Sequence, residues 1–265
     1  MRPPENAEVY APEFPTGMEW LNVAFMRMNT LMGRGAVLVE FWDFARANSL
    51  RTLPYLKAWH ERYAHAGLRV IGVHSPGYSF GSDRDLVARA VERLDVHYAV
   101  LLDPAFEVWR LYGNEGWPGR YLFDRTGKLR FIHYGEGEYL DTELAIQECL
   151  GERREPLEPL RPEDAPGVLL PPQTADIALP RDRRRLDLVR DWRDGEDWIE
   201  ADDAGAAARF SYTAGGAFAV LSGDEVEPGL YEVEGVVEAE SPGLRLHGVQ
   251  FTPIPPTPSG SPSGA

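Results

Sequence analysis

Cysteine is nearly absent from this sequence: one, Cys149, stands among 265 residues. No disulfide can close within the chain, and no dithiol can cycle inside one molecule. Long apolar runs are missing too. No stretch reaches the length a transmembrane helix needs, and MRPPENAEVYAPEF at the start has neither the basic opening nor the apolar run of a secretory signal. A cytoplasmic location is expected on that basis. Positive charge is scarce, with 27 Lys and Arg against 42 Asp and Glu and a formal net charge of -15. Partners held through clustered cations, nucleic acid and anionic membrane among them, are therefore excluded. The histidines lack metal-ligand spacing: His60 and His65 miss the i, i+4 face, and His74 and His133 read as strand-end residues. Nucleophile-elbow, phosphate-cradling and dinucleotide motifs do not occur. Neither a metal nor a cofactor is expected.

What the sequence does hold is a 43% apolar share, enough for a real core, and a length that suits two modest domains. The stretch GAVLVEFWDFARANSLRTLPYLKAWH, from Gly35 to His60, organises the first. Val37, Leu38, Val39, Phe41 and Trp42 form a short apolar run rich in β-branched and aromatic residues, as in a central strand covered on both faces. Leu50, Leu53, Leu56, Trp59 and Tyr63 then recur at helical spacing, with Pro54 expected to kink the helix without ending it. Leu68 to His74 reads as a second parallel strand and Val96 to Leu102 as a third. Between these two strands Ser82 to Leu94 forms an amphipathic helix. Phe106 to Tyr112 reads as a short helix. Arg120 to Phe123 and Lys128 to His133 make a hairpin, and Leu140 to Leu150 is a closing helix. Met26, Met28 and Met32 read as gap-filling packing.

The run Phe41-Trp42, then Leu50-Arg51-Thr52-Leu53-Pro54-Tyr55-Leu56, resembles the thioredoxin-like thiol-disulfide reductases of the TlpA and DipZ type, whose members read FW-x-x-x-C-x-x-C-L-R-T-L-P-Y-L here. The likeness continues through Val70 to Pro76, Asp103 to Asp124 and His133 to Tyr139, covering about residues 9 to 150. It implies an α/β thioredoxin-like fold, a central mixed sheet with helices on both faces. In this register the two cysteines are replaced, giving Arg46-Ala47-Asn48-Ser49. The resemblance further implies a cis-proline at Trp117-Pro118 facing that turn, with main-chain groups that pair with an extended peptide. It places a buried acid, Glu40, beneath the second cysteine position, facing Ser49. Trp42, Arg46, Asn48, Ser49, Trp117 and Pro118 are accordingly the candidate peptide-binding residues, set either in a surviving groove or in an inherited scaffold. Glu40, flanked by Val39 and Phe41, should be desolvated with its pKa raised.

Arg46 and Ser49 fall at a helix N-terminus, where an anion is favoured; Arg46 either pairs with neighbouring Asp43 as an exposed side chain or complements a bound anion. Cys149, in ELAIQECLGERRE, reads as a small hydrophobe, or as a reactive thiol if Arg153 or Arg154 lies close.

Domain boundaries follow from composition. Residues 1–150 are the thioredoxin-like domain and 151–175 a proline-rich linker lying on a surface. Residues 176–255 form a small antiparallel β domain of short alternating runs, at 208–212, 217–221, 230–236 and 244–249, and 256–265 a disordered tail. The family's members of the DipZ type carry a β-sandwich in the place of that β domain, to which this one is loosely similar. The expected function is a redox-inactive thioredoxin-fold protein that binds or scaffolds a protein or peptide partner. Two alternatives stand beside it: a thiol-disulfide oxidoreductase using Cys149 or a partner's thiols, and an anion or small-molecule binder at the Arg46 turn.

Overall fold

The structure, a computed structural model, describes residues 1–3 and 8–256; of the tail expected at 256–265, residues 257–265 lie outside the described part. The first part of the chain runs β1 (Trp20–Leu21), α1 (Met28–Leu31), β2 (Val37–Trp42), α2 (Ala47–Tyr63), β3 (Arg69–His74), α3 (Arg84–Arg93) and β4 (Ala99–Leu102). It continues with α4 (Glu107–Tyr112), β5 (Gly119–Phe123), β6 (Leu129–Tyr134) and α5 (Tyr139–Leu150). The strands form one sheet in the order β1-β4-β3-β2-β5-β6. Strands β2, β3 and β4 are parallel, while β1, β5 and β6 join antiparallel, giving the mixed sheet of a thioredoxin-like fold.

Strand β2 is central because all six of its residues are apolar or paired, and every one is buried. Helix α2 lays Leu53, Leu56, Trp59 and Tyr63 on one face of the sheet and continues through Pro54. The opposite face is covered by α1 and α4 through Met28, Leu31, Val108 and Tyr112. Helix α3 starts at Asp83, whose carboxylate accepts from the N–H of Asp85 and Leu86 at 2.8 and 3.0 Å, an N-cap for two otherwise free donors. The N-terminal arm lies along β6, with Leu129 N–H donating to Val9 O and Ile132 N–H to Met1 O. That covers part of an open sheet edge.

Residues 151–175 contain no strand. The stretch is pinned on α2, where Tyr55 donates to Asp164 at 2.8 Å and Arg51 pairs with Glu163 at 2.8 Å. Beyond it come β7 (Ile177–Ala178), β8 (Asp187–Val189), β9 (Trp192–Asp194), β10 (Ile199–Ala201) and β11 (Ala207–Arg209). The last strands are β12 (Gly216–Ser222), β13 (Gly229–Val233), β14 (Val236–Glu238) and β15 (Arg245–Thr252). All pair antiparallel, in one sheet of order β13-β12-β15-β10-β9 with β7 also on β15, and a second of order β14-β11-β8. Ile199, Leu246, Val249 and Phe251 sit in the core of this region.

Two strand expectations need correction here. The run 208–212 ends as a strand at Arg209, and the run 230–236 is two strands in different sheets, because Gly235 at φ +79 turns the chain between them. This region is also fused to the first: Val220 of β12 is buried in the α2 and α3 side of the first core.

Candidate functional site

Strand β2 ends at Trp42, and the chain turns over Asp43 to Arg46 before α2 begins. Asp43 is fully buried. Its Oδ1 accepts from Ala45 N–H at 2.5 Å and its Oδ2 from Gly77 N–H, while Asp43 N–H donates to Ser49 Oγ at 3.3 Å. The expected Arg46–Asp43 pair does not form. With the carboxylate spent on main-chain donors, Arg46 lies instead between two rings, its Cζ 4.7 Å from the centroid of Tyr78 and 4.7 Å from that of Trp117. Trp117 is held by its indole N–H, which donates to Ser75 O at 2.9 Å, and the Trp117–Pro118 bond is cis.

The other side of the turn is filled from the C-terminal region. Gln250 of β15 presents its side-chain amide to the main chain: Ala47 N–H donates to Oε1 at 2.8 Å, and Nε2 donates to Ala45 O at 2.8 Å and to Tyr78 Oη at 3.1 Å. Ala47 is the first residue of α2, so Gln250 satisfies one of the N–H groups a helix start leaves free. Around this contact, Ser79 donates to Asp197 through both N–H and Oγ, and Phe80 packs edge-on against His247 at 4.9 Å. Of the six candidate peptide-binding residues Arg46 and Trp117 are in contact, and Gln250 covers the main chain on the other side of Arg46. Trp42, Ser49 and Pro118 are buried; Arg46, Asn48 and Trp117 keep partial exposure.

Glu40 also differs from its expected place. It faces Arg120, with Nε to Oε2 at 3.0 Å, and both side chains are buried. Burial pushes the Glu40 carboxyl above its ordinary range, against the pull of Arg120. The two stand opposite each other in the β2–β5 ladder. Arg120 additionally donates to Thr142 Oγ1 at 2.9 Å, and its Cζ lies 5.2 Å from the ring centroid of Trp59. Glu40 is therefore an ion-pair partner within the core, with no link to Ser49.

Cys149, at the end of α5, lines a separate surface cavity with Arg2, Arg130 and Glu148. Burial pushes its thiol up to about 12, so the thiolate that reacts is scarce at neutral pH. Among the described residues no group of three His, Cys, Asp or Glu could hold a metal ion, and no helix is long and apolar enough to cross a membrane.

Sequence reasoning passed over Gln250, Tyr78 and Arg120. Arg120 carried a signal, a lone cation in the hydrophobic run Arg120-Tyr121-Leu122-Phe123 with one acid, Glu40, in the neighbouring strand. Gln250 carried none, since a glutamine in a strand is ordinary until its partner is known.

No protein-family model matches the sequence. Protein DipZ of Mycobacterium tuberculosis (strain CDC 1551 / Oshkosh) is 33% identical over 173 residues, 62% of this chain and 25% of DipZ, so the chain spans about a quarter of that relative's length. The thiol-disulfide oxidoreductase YkuV of Bacillus subtilis (strain 168) is 25% identical over 141 residues, 53% of this chain and 94% of YkuV. Among solved structures, a thioredoxin-like protein in its oxidised form superposes with a TM-score of 0.50 at 23% identity, covering 54% of this chain and 96% of that one; this is a likeness of fold.

Proposed function

Because the chain belongs to the thioredoxin-like thiol-disulfide redoxin family but holds a single cysteine, we propose that it is a redox-inert module that binds or scaffolds a protein or peptide partner. One observation carries this reading. The turn where the family resemblance places two thiols holds Arg46 and Ser49, and the chain itself occupies it with the Gln250 amide on one side and the Tyr78–Arg46–Trp117 stack on the other. Disulfide exchange needs a thiolate attacking in line with a disulfide sulfur, and no sulfur atom is present at this turn. The same reading takes residues 151–175 as a linker between two domains and the cytoplasm as the location, a reducing compartment compatible with a chain of one cysteine.

The competing reading, a reductase working through Cys149, is disfavoured by the raised thiol pKa. An insulin-reduction assay with dithiothreitol as electron donor separates the two. The expected rate equals that of the donor alone for both the native chain and Cys149→Ala. Turnover by the native chain above the C149A variant would overturn the redox-inert reading.

A further inference from the structure

Arg46 is a half-buried cation that no carboxylate among the described residues pairs. Its guanidinium lies between the rings of Tyr78 and Trp117, and its Nε is buried with no acceptor among the described residues. One long contact, Nη2 to Gly77 O at 3.4 Å, is its sole hydrogen bond among the described residues. No carboxylate there lies within ion-pairing distance of it. Asp43, its neighbour in sequence, is committed to Ala45 and Gly77 N–H, and Asp176, the other acid in its field, accepts from Phe251 N–H at 3.0 Å. A cation removed from water on two faces is ordinarily paired.

The slot is shaped for this group. A Cβ at Gly77 would stand 2.5 Å from Arg46 Nε and 2.9 Å from Nη2, so a side chain at position 77 would displace the guanidinium from the place it holds. Trp117 is fixed by Ser75 O and Tyr78 by Gln250, which leaves the plane of Arg46 little freedom to turn. Gly77 closes the Nε side and takes one N–H of Nη2 through its carbonyl; of the guanidinium nitrogens only Nε is both buried and unpaired, so the terminal Nη edge is the side left for a ligand, and a planar pair of N–H donors matches a carboxylate in two-point contact.

From this geometry we propose that the Arg46 slot binds a carboxylate, held end-on by the Nη groups between Tyr78 and Trp117 and supplied by the C-terminus of a peptide. This names the partner chemistry of the binding-module reading and rests on it. Reductase turnover would sink that reading without altering the titration described next, and a failed titration would sink this inference alone.

The test is an NMR titration of the full chain, following the Arg46 Nε–Hε resonance, which is assigned by its loss in Arg46→Gln. Three probes are used at constant ionic strength: N-acetyl-Ala-Ala with a free carboxylate, the same peptide amidated, and glutarate. The expected result is a saturable shift with the free-acid peptide, no shift with the amide, and affinity for the acid about tenfold weaker in Arg46→Lys, which keeps the charge but loses two-point pairing and is followed, for want of an Nε–Hε, by the indole N–H resonance of Trp117. Tighter binding of the peptide than of glutarate supports a peptide carboxylate, and saturation by glutarate at equal or higher affinity would overturn the peptide as the occupant. Gly77→Ala should eject the guanidinium and abolish binding with the charge still present. Equal shifts by acid and amide, or unchanged acid binding to the folded G77A chain as read by Trp fluorescence, would overturn the proposal.

Discussion

Arg120 and Glu40 show how a single residue can matter to stability out of proportion to its place in the sequence. Both are buried, and their pairing is direct. Removing one partner leaves a charge stranded in the core, so Arg120→Met should destabilise the fold by ~3–5 kcal/mol, whereas Glu40→Met with Arg120→Met should lose far less. Urea denaturation of the two variants measures this, and equal losses would show that Arg120 acts by packing alone. Cys149 offers a second residue-scale test. With its thiol pushed up to about 12, iodoacetamide at neutral pH should alkylate the native chain much more slowly than the unfolded one. Mass spectrometry of intact protein reads the difference.

At the scale of elements, what distinguishes this chain is a strand closing a helix terminus. Gln250 of β15 caps α2 at Ala47 and bonds Ala45 across the turn. Gln250→Met keeps the volume but removes these hydrogen bonds, each of the order of 1 kcal/mol. Hydrogen exchange at Ala47 should therefore rise about tenfold in that variant while β2 stays protected; uniform loss of protection would indicate global unfolding instead. The same contact bears on restoring redox chemistry. A chain carrying Arg46→Cys and Ser49→Cys should reduce insulin slowly, because β15 still covers the turn and Ser49 is buried. Adding Gln250→Ala should speed it. Rapid reduction by the double variant alone would mean that the closure does not obstruct a protein disulfide.

For the molecule as a whole, pH is the informative variable. Burial lowers the pKa of His60, His74 and His133 below the ordinary 6.5. His74 is the deepest, its ring stacked on Phe44 at 5.4 Å with Nε2 lacking a partner among the described residues, and Asp43 and Asp103 act on it in the opposite direction. Below 6.5 the unfolded chain takes up protons at these positions that the folded chain refuses. Stability present above that value is lost as pH falls, with a slope of up to about 1.4 kcal/mol per pH unit for each such group. Chemical denaturation across this range should show the fall. His74→Phe should flatten the slope, and an unchanged slope in that variant would remove His74 from the account. The acids Glu40, Glu136 and Asp176, raised by burial, act with the opposite sign in windows starting at their own lower ordinary values.

The α/β core was legible in the sequence because its signals are local. Six consecutive buried residues from Val37 to Trp42 mark a central strand, and the spacing of Leu53, Leu56, Trp59 and Tyr63 marks the helix packed on it. The loss of the thiol pair was legible for the same reason, as it concerns which atoms are present. The strands between Ile177 and Ala201 were not foreseen: two or three residues long and interleaved with Arg and Asp, they have no period to read and are held by pairing, β7 and β10 on β15, β9 on β10 and β8 on β11. The fate of the candidate site was likewise decided by distance in sequence. Gln250 meets Ala47 across 203 residues, Arg120 meets Glu40 across 80, and Arg46 finds Tyr78 and Trp117 in two other loops. Local sequence determines which side chains are on offer. Which of them a buried donor or charge finds as its partner depends on how sheet and helix bring remote segments into one volume, and that was settled by the tertiary structure.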